Sequence, residues 1–500
     1  MSFSPKKILF VYPQYPDTFW SFKHALKFAS KKASLPPLGL LTVAAMLPSE
    51  WEKKLVDMNA ASLTDDNIKW ADYVFISAMA VQEKSVREVI ARCKQLNTKI
   101  VAGGPLFTSQ RENYADVDYL VLNEAEITLP TFLADLKNGT AQHLYTSEER
   151  PDISKNSVVP MWSLIDMKKY FSMNIQYSRG CPFNCEFCDI VALNGHTPRT
   201  KNKEQIIAEL EAMYVQGWRQ GVFIVDDNFI GNKRKLKEEI LPAIIDWMEK
   251  RRHPYALYTE ASINLADDEE LMRMMATAGF DKVFVGIETP NEESLVECSK
   301  NQNTSRDMVA SVKKIQNFGL EVMGGFIVGF DSDPLSIFKN QINFIQKSGI
   351  VTAMVGLLNA PPGTRLYERL DKEKRLLKGF VGNNTDGSMN FIPKMDPETL
   401  INGHREIITT IYSYKNYYAR IKAFLKEFKP HGPAIKMTSQ DAASFIRSIW
   451  ILGIKEKGRT HFWQLIISTL FKNPRKMHVS VTLAIYGYHF RKITETLVAG

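Results

Sequence analysis

The sequence predicts an α/β chain in three parts: a doubly wound parallel sheet, a partial (β/α)6 barrel and a helical C-terminal subdomain. Three observations carry that prediction. Residues 6–140 alternate short apolar runs with helical periodicity, the mark of βαβ crossovers. The alternation resumes near residue 173 at longer intervals, as repeated βα units of a barrel require. From residue 397 onward only helical patterning remains. At 500 residues the chain exceeds one ordinary domain, and its 45% hydrophobic and 24% charged content excludes a disordered or collagenous protein.

In residues 1–140 the strand candidates are KILFVYP, KKLVDM, YVFISAM, KIVAGGP and YLVLNE, with helices such as PLGLLTVAAML and QEKSVREVIARCKQL between them. Five strands so joined fit a flavodoxin-like, Rossmann-type order, whose ligand crevice opens at the strands' C-terminal ends. Those ends carry Pro13–Phe19, Ser77–Gln82, Gly103–Pro105 and Asn123–Glu126. The Gly103–Gly104 pair suits close approach of a bulky ligand and equally a tight turn at positive φ. Residues 141–172 lose periodicity, hold two prolines and are expected to form a linker.

The five cysteines are Cys93, Cys181, Cys185, Cys188 and Cys298. Three of them fall within eight residues of NIQYSRGCPFNCEFCDI, unlike a secreted disulfide framework. Cys93 and Cys298 lie in helical patterns and read as packed thiols. The CxxxCxxC triplet can hold three irons of a 4Fe–4S cluster and leave the fourth iron open. Zinc is the second reading, but a structural site asks for four N/S ligands, and the nearest histidine, His196, stands eight residues on.

The barrel, residues 173–396, offers NIQYS, GVFIVDD, YALYTEAS, KVFVGIET, EVMGGFIVGF and TAMVGLLN as strands. Chemistry in such barrels gathers at the strands' C-terminal ends. Here those ends carry Asp226, Asp227, Glu260, Glu288, Gly325, Gly329 and Asp331. Carboxylates there suit a ligand with ammonium or hydroxyl donors, although each alone could be a cap or a surface ion pair. Asp267, before DEELMRMM, reads as a helix N-cap.

With Phe187 as the aromatic residue before the last cysteine, the chain resembles the radical S-adenosylmethionine (SAM) superfamily. The resemblance implies that Cys181, Cys185 and Cys188 ligate the cluster and that SAM, chelated by the open iron, yields a 5′-deoxyadenosyl radical. It places Asp226 and Asp227 where the family often has Gly–Gly–Glu near the SAM amino group. Glu260 and Glu288 fall toward the ribose or methionine end, and Gly325 beside the adenine.

A doubly wound domain before the barrel resembles the cobalamin-binding members. SLPPLGLLTVAAML, FISAM and VAGGP in the first part, and VDDNFIGN, VFVGIETP and NAPPGTRLY in the barrel, carry that likeness. It implies cobalamin at the first sheet, with Ser77, Gly103, Gly104 and Glu124 as candidate contacts. The cobalt-ligating DxHxxG motif is absent; the loop reads PQYPDTFW and the nearest histidine is His24.

The likeness is closest to the subgroup containing the hopanoid C-2 methylase. It implies an enzyme that methylates an unactivated carbon of a lipid or secondary metabolite, with hopanoid-type polyisoprenoids favoured. The route implied is hydrogen abstraction followed by methyl transfer from methylcobalamin. A non-methylating cyclase or rearrangement enzyme would use the same parts. A methylthiotransferase would carry a further cysteine trio in residues 1–140, where only Cys93 stands. A non-enzymatic iron–sulfur or corrinoid carrier would need no row of polar strand ends.

The formal charge of +8 is unevenly placed: residues 401–500 hold 16 Lys/Arg against five Asp/Glu. Helices are expected over residues 397–428, 439–454, 461–471 and 479–497. Tyr412, Tyr414, Tyr417 and Tyr418 could line a pocket or pack a core. His404, His431, His461, His478 and His489 form no short ligand motif. No RNA-binding signature appears, so nucleic acid is not an expected partner. The N-terminal apolar stretch is too short for a signal peptide and no window has the ~18 apolar residues of a spanning helix. A cytoplasmic protein is therefore expected, with peripheral contact at the inner membrane face through the basic region 401–500. The expected partners are a small-molecule or lipid substrate and a reductant such as flavodoxin or ferredoxin.

Overall fold

A computed structural model describes residues 5–377, 379–383, 385–430 and 439–499; His431 and the first four residues lie outside these. In strand β1 (Lys7–Tyr12) Ile8 and Phe10 point to one face and Leu9 and Val11 to the other, all four fully buried. Both faces of this sheet must therefore be covered, as crossover helices do. Leu9 and Val11 pack with Val74 and Ile100 against Val86, Val89 and Ile90 of helix Glu83–Gln95. Ile8 and Phe10 pack with Phe75 and Val101 against Leu40 of helix Leu38–Met46 and Phe132 of helix Ala125–Asn138.

The sheet is completed by β2 (Glu52–Asp57), β3 (Tyr73–Ser77), β4 (Lys99–Gly103), β5 (Tyr119–Val121) and β6 (Leu144–Tyr145). All pair in parallel in the order β2-β1-β3-β4-β5-β6. The first five follow the flavodoxin-like order. Strand β6 falls in the segment expected to be linker: Leu144 and Tyr145 extend the open edge left by Leu120 and Val121, and the Tyr145 hydroxyl donates to Asp135 at 2.9 Å.

The second sheet comprises β7 (Ser172–Ile175), β10 (Gly221–Ile224), β11 (Ala256–Glu260), β12 (Phe280–Glu288), β13 (Glu321–Val328) and β14 (Ala353–Leu357). Between β7 and β10 lies a short antiparallel hairpin of β8 (Ser178–Arg179) and β9 (Arg199–Thr200). The six parallel strands pair in sequence order with β7 and β14 at opposite edges, so the barrel is an open arc.

The C-terminal helices cover the β14 edge. Arg420, Tyr412 and His404 donate to the carbonyls of Val351, Ala353 and Val355, at 3.2, 2.6 and 3.0 Å. Ala353 and Val355 are alternate residues of β14, the set that an edge strand leaves unpaired, and Val351 lies just before it. The stretch 397–428, expected as one helix, breaks at Ser413 into Pro397–Tyr412 and Tyr414–Glu427, with the Ser413 side chain accepting from the Asn416 amide. Tyr417 donates to Leu483 O at 2.7 Å, Tyr418 stacks on His461, and Tyr414 bonds Glu456. The four tyrosines are therefore packing and edge residues. The last helix, Met477–Ala499, docks on the first domain: Phe490 stacks on Phe19 with centroids 4.2 Å apart, and His489 donates to Phe19 O at 2.9 Å.

This packing is tight at Gly487, where a Cβ would fall 2.1 Å from the fully buried Tyr417 ring. Gly487→Ala is expected to cost about 1–3 kcal/mol through overpacking. Scanning calorimetry should show a lower Tm; an unchanged Tm would mean that the helix does not seat on Tyr417.

Candidate active site

The C-terminal ends of both sheets face one cavity of about 970 Å³, at the upper end of the ~300–1,000 Å³ usual for ligand pockets. One wall belongs to the first sheet's switch point between β1 and β3. It consists of Tyr12 at the end of β1, Gln14 and Tyr15 after it, Ser77 at the end of β3, and Gly103 and Gly104 at β4. The opposite wall belongs to the barrel, with Asn174 of β7, Glu260 of β11, Phe284 of β12 and Met354 of β14. Trp20 bridges the two: its ring meets Phe284 edge-on at 5.4 Å, and its indole N–H points at the Met354 sulphur, 3.0 Å away. Among the described residues no histidine lines this cavity.

Ser77, Gly103 and Gly104 all line the cavity, but the contacts that exclude a side chain at the glycines are with protein atoms. A Cβ on Gly103 would fall 2.4 Å from Val121 O; Gly104 takes φ +88°, and its Cβ would fall 2.4 Å from Ser77 Oγ. The turn explains why glycines stand there, and their position explains what they face.

The cysteine loop follows β8 and is gripped from two sides. Arg179 donates to Glu124 at 2.6 Å and to Glu126 at 2.8 and 3.0 Å, and Arg199 donates to Glu124 at 2.6 and 2.9 Å. All four groups are largely buried. Glu124, expected as a cobalamin contact, has both carboxylate oxygens occupied by arginines; it anchors the two domains to each other. On the far side Glu186, between Cys185 and Phe187, receives Arg369 at 2.7 and 3.0 Å, and its amide donates to Cys298 O at 2.9 Å. Cys93 and Cys298 are buried packing thiols.

Cys181, Cys185 and Cys188 stand partly exposed on this loop. Burial pushes the thiols of Cys181 and Cys188 up, so a positive centre is needed to hold them as thiolates. The loop suits a cluster, which takes each thiolate at a different iron. Among the described residues no three His, Cys, Asp or Glu side chains stand grouped as metal ligands, the three cysteines included, so the choice of a cluster rests on the spacing of the cysteines. Phe187 packs with Cys298, Phe330 and Leu358 beside the loop. Lys300, which no sequence signal marked, pairs with Glu288 at 2.7 Å and lies 6.0 Å from the Phe187 ring. Burial acts to lower the Lys300 pKa, but Glu288 and Cys185 outweigh it and keep the ammonium charged. Glu288 itself sits at φ +63° where β12 loses register with β13.

The other carboxylates separate by orientation. Asp226 is fully buried and accepts from the Tyr177 amide at 2.8 Å and the Ser178 hydroxyl at 2.6 Å. It therefore closes the β7–β8 turn and does not face the cavity, contrary to the ligand role expected of it; burial pushes its pKa up to about 7. Asp227 points toward the cysteine loop, where Asn194 donates at 3.2 Å, and burial raises it to about 6. Glu260 lines the cavity, and among the described residues no side chain hydrogen-bonds it. Burial, with repulsion from Asp227 and Asp226, pushes it up to about 8. An acid so placed favours a cationic neighbour, which fits SAM. Gly325 lies under the Phe284 ring, 2.8 Å from its would-be Cβ. Asp331 is taken by Arg375 and Arg369, at 2.7 and 3.1 Å. Asp267 pairs with Arg306, and the N-cap expected there is its neighbour Asp268, which accepts from the Leu271 amide.

Three family models match the chain: the B12 binding domain over residues 28–133, the radical SAM superfamily over 175–345, and a domain of unknown function over 364–500. The chain is 41% identical to an uncharacterized methyltransferase of Synechocystis sp., over 98% of this chain and 92% of that protein. It is 33% identical to the hopanoid C-2 methylase of Rhodopseudomonas palustris, over 93% and 90% of the two chains. Among solved structures, the cobalamin-dependent S-adenosylmethionine radical enzyme OxsB superposes with TM-score 0.63 at 14% identity, covering 99% of this chain and 80% of that one. The radical S-adenosylmethionine methyltransferase TsrM of Kitasatospora setae superposes with TM-score 0.61 at 15% identity, covering 99% and 100%.

Two outcomes follow from this geometry. Glu260 has a folded-state pKa of about 8 against an ordinary 4.5, so its contribution to stability is lost as pH rises through that interval. Glu260→Gln should therefore raise Tm at about pH 8.5 and leave it unchanged near pH 4; a parallel pH profile for parent and variant would refute an unpaired acid. Arg179→Met strands Glu126 and part of Glu124, costing about 3–5 kcal/mol as buried pairs do when one partner is removed. Lower Tm and lower iron uptake on reconstitution should accompany each other; full iron uptake would show that the loop does not depend on this anchor.

Proposed function

The chain belongs to the cobalamin-dependent radical SAM methyltransferases, and we propose that within this family it methylates an unactivated carbon of an apolar, hopanoid-type polyisoprenoid. It is an enzyme whose cofactors are a 4Fe–4S cluster, SAM and cobalamin. The observation that carries the substrate reading is the shared cavity, polar where Glu260 and Arg179 line it and apolar along Trp20, Leu38, Phe284 and Met354. Similarity to the hopanoid C-2 methylase supports the same choice.

The bound cofactors supply radical hydrogen abstraction and a transferable methyl group, which together act on a carbon without a lone pair. The protein's part is ligation, alignment and dryness. In this reading Cys181, Cys185 and Cys188 hold the cluster, with Phe187 packed behind them and the Glu288–Lys300 pair beside them. Asp227 and Glu260 accept from the ammonium and hydroxyl donors of SAM, and the Phe284 ring over Gly325 forms the wall toward its adenine. Ser77, Gly103 and Gly104 form the floor on the cobalamin side. Trp20 and Met354 exclude water from the apolar end, so that a reactive centre meets only substrate.

The domains divide by the same logic. Residues 1–140, extended by β6, carry cobalamin; 141–172 cross between the sheets; 173–396 carry the radical SAM site; and 397–500 close the barrel edge. No helix among the described residues is long and apolar enough to cross a membrane. A lipid substrate then reaches the cavity through peripheral contact of residues 401–500 at the inner membrane face, with electrons from a flavodoxin- or ferredoxin-type reductant.

Anaerobic reconstitution followed by cobalamin titration tests the cofactor assignment residue by residue. Changing Cys181, Cys185 or Cys188 to Ala should remove the cluster's electron paramagnetic resonance signal and reduce SAM cleavage to background. With methyl-labelled SAM and a hopanoid acceptor, label should appear in the lipid. SAM cleavage with an unlabelled, rearranged product would overturn methylation while leaving the cluster assignment standing.

A further inference from the structure

Seven of the 19 large apolar side chains exposed among the described residues fall between residues 446 and 471, a clustering that ordinary scattered surface apolar residues do not give. Ile446, Trp450 and Ile454 recur every fourth residue along helix Ser439–Trp450 and the turn Ile451–Lys455 that continues it. Trp463, Ile467, Leu470 and Phe471 form a second stripe on helix Arg459–Lys472. The stripes join where the Trp463 indole packs on Gly453 and donates to its carbonyl at 2.9 Å. Phe471 is 83% exposed and Leu470 55%, so these side chains project outward and do not lean on the core.

The surroundings are basic. Lys455, Lys457, Arg459, Lys472 and Arg475 are exposed, and among the described residues none of them is in an ion pair. Glu456 is the one acid between residues 451 and 476, and it is engaged by the Tyr414 hydroxyl. An apolar ridge among cations without acidic partners, Lys455 standing 5.0 Å from the Trp450 ring, matches the depth profile of an anionic bilayer, with acyl chains below and phosphate at the surface.

We infer that the two stripes form a docking surface for anionic lipid bilayers. Apolar side chains enter the headgroup boundary, and the lysines and arginines remain among the phosphates. The same helix touches the cavity wall: Arg447 donates to Phe28 O at 2.6 Å, and Leu26 and Lys32 on either side of Phe28 line the cavity. One hydrogen bond thus joins helix Ser439–Trp450 to a segment that bounds the substrate space. The inference deepens the lipid-substrate reading, but its test needs no substrate, so the two can fail separately.

The purified 500-residue chain is sedimented with phosphatidylcholine vesicles with or without phosphatidylglycerol. It should pellet with the anionic vesicles and be released by salt. Ile467→Gln, Leu470→Gln and Phe471→Gln combined should lower partitioning by at least about a hundredfold. Lys455→Gln and Lys457→Gln should each lower it about fivefold. Tm and SAM cleavage should stay at parental values in every variant, because these side chains are solvent-facing and none of them lines the cavity. Vesicle binding that is absent in the parent, or unchanged in the triple variant, would overturn the inference. So would a parent dimer in analytical ultracentrifugation that the triple variant abolishes without any vesicle binding, since the surface would then join two copies of the chain.

Discussion

Two arginines of the barrel hairpin and two glutamates of the first domain make the contact on which the site depends. Arg179 lies two residues before Cys181, and Glu124 and Glu126 stand at the start of helix Ala125–Asn138, where the helix dipole favours negative charge. A buried ion network of this kind gains little net stability over an apolar contact. What it supplies is geometry: two-pronged guanidinium–carboxylate contacts fix distance and angle together. The strand ends of two separate sheets are thereby held face to face, with the cysteine loop at their seam. Arg369 on Glu186 fixes the loop's other side, so the ligand-bearing segment is held at both ends by charge.

Inside that frame the distribution of charge is asymmetric. Glu288 is matched by Lys300 and Asp226 by two hydrogen bonds, but among the described residues no side chain hydrogen-bonds Glu260. The unliganded chain therefore carries an acid whose ionised form is disfavoured, and a cationic ligand relieves that cost. Such preorganisation places the electrostatic work in the folded protein before any ligand arrives. It also trades stability for function, as buried charges at binding sites commonly do.

The C-terminal region completes the barrel in a way that the barrel alone cannot. An open arc leaves β14 with alternate unpaired carbonyls; Tyr412 and His404 satisfy two of them, and Arg420 takes the Val351 carbonyl just before the strand. These three residues come from two helices, which must pack on the arc for it to be a finished surface. The outward side of the same subdomain is then free to carry apolar stripes and basic charge without affecting the core.

Much of this was legible in the sequence, and the misreadings share one cause. Strand-like apolar runs located eleven of the strands, and the CxxxCxxC spacing located the cysteine loop, because both signals are local to a few residues. Strand β6 was missed because two residues carry no periodicity; only the open edge of β5 makes them a strand. The break at Ser413 hid inside an unbroken apolar pattern, and the cap near residue 268 was read one residue early. The acids were harder still. Glu124, Asp226, Glu260 and Glu288 look alike at strand ends, yet one anchors two domains, one closes a turn, one is paired and one is unpaired. Sequence by itself determined the order of elements and the ligand loop, since hydrogen-bonding period and ligand spacing are short-range. Which carboxylate faces the cavity was decided only by tertiary structure, because a charge's role depends on partners brought near it by folding, as Arg199, 75 residues away, is brought to Glu124.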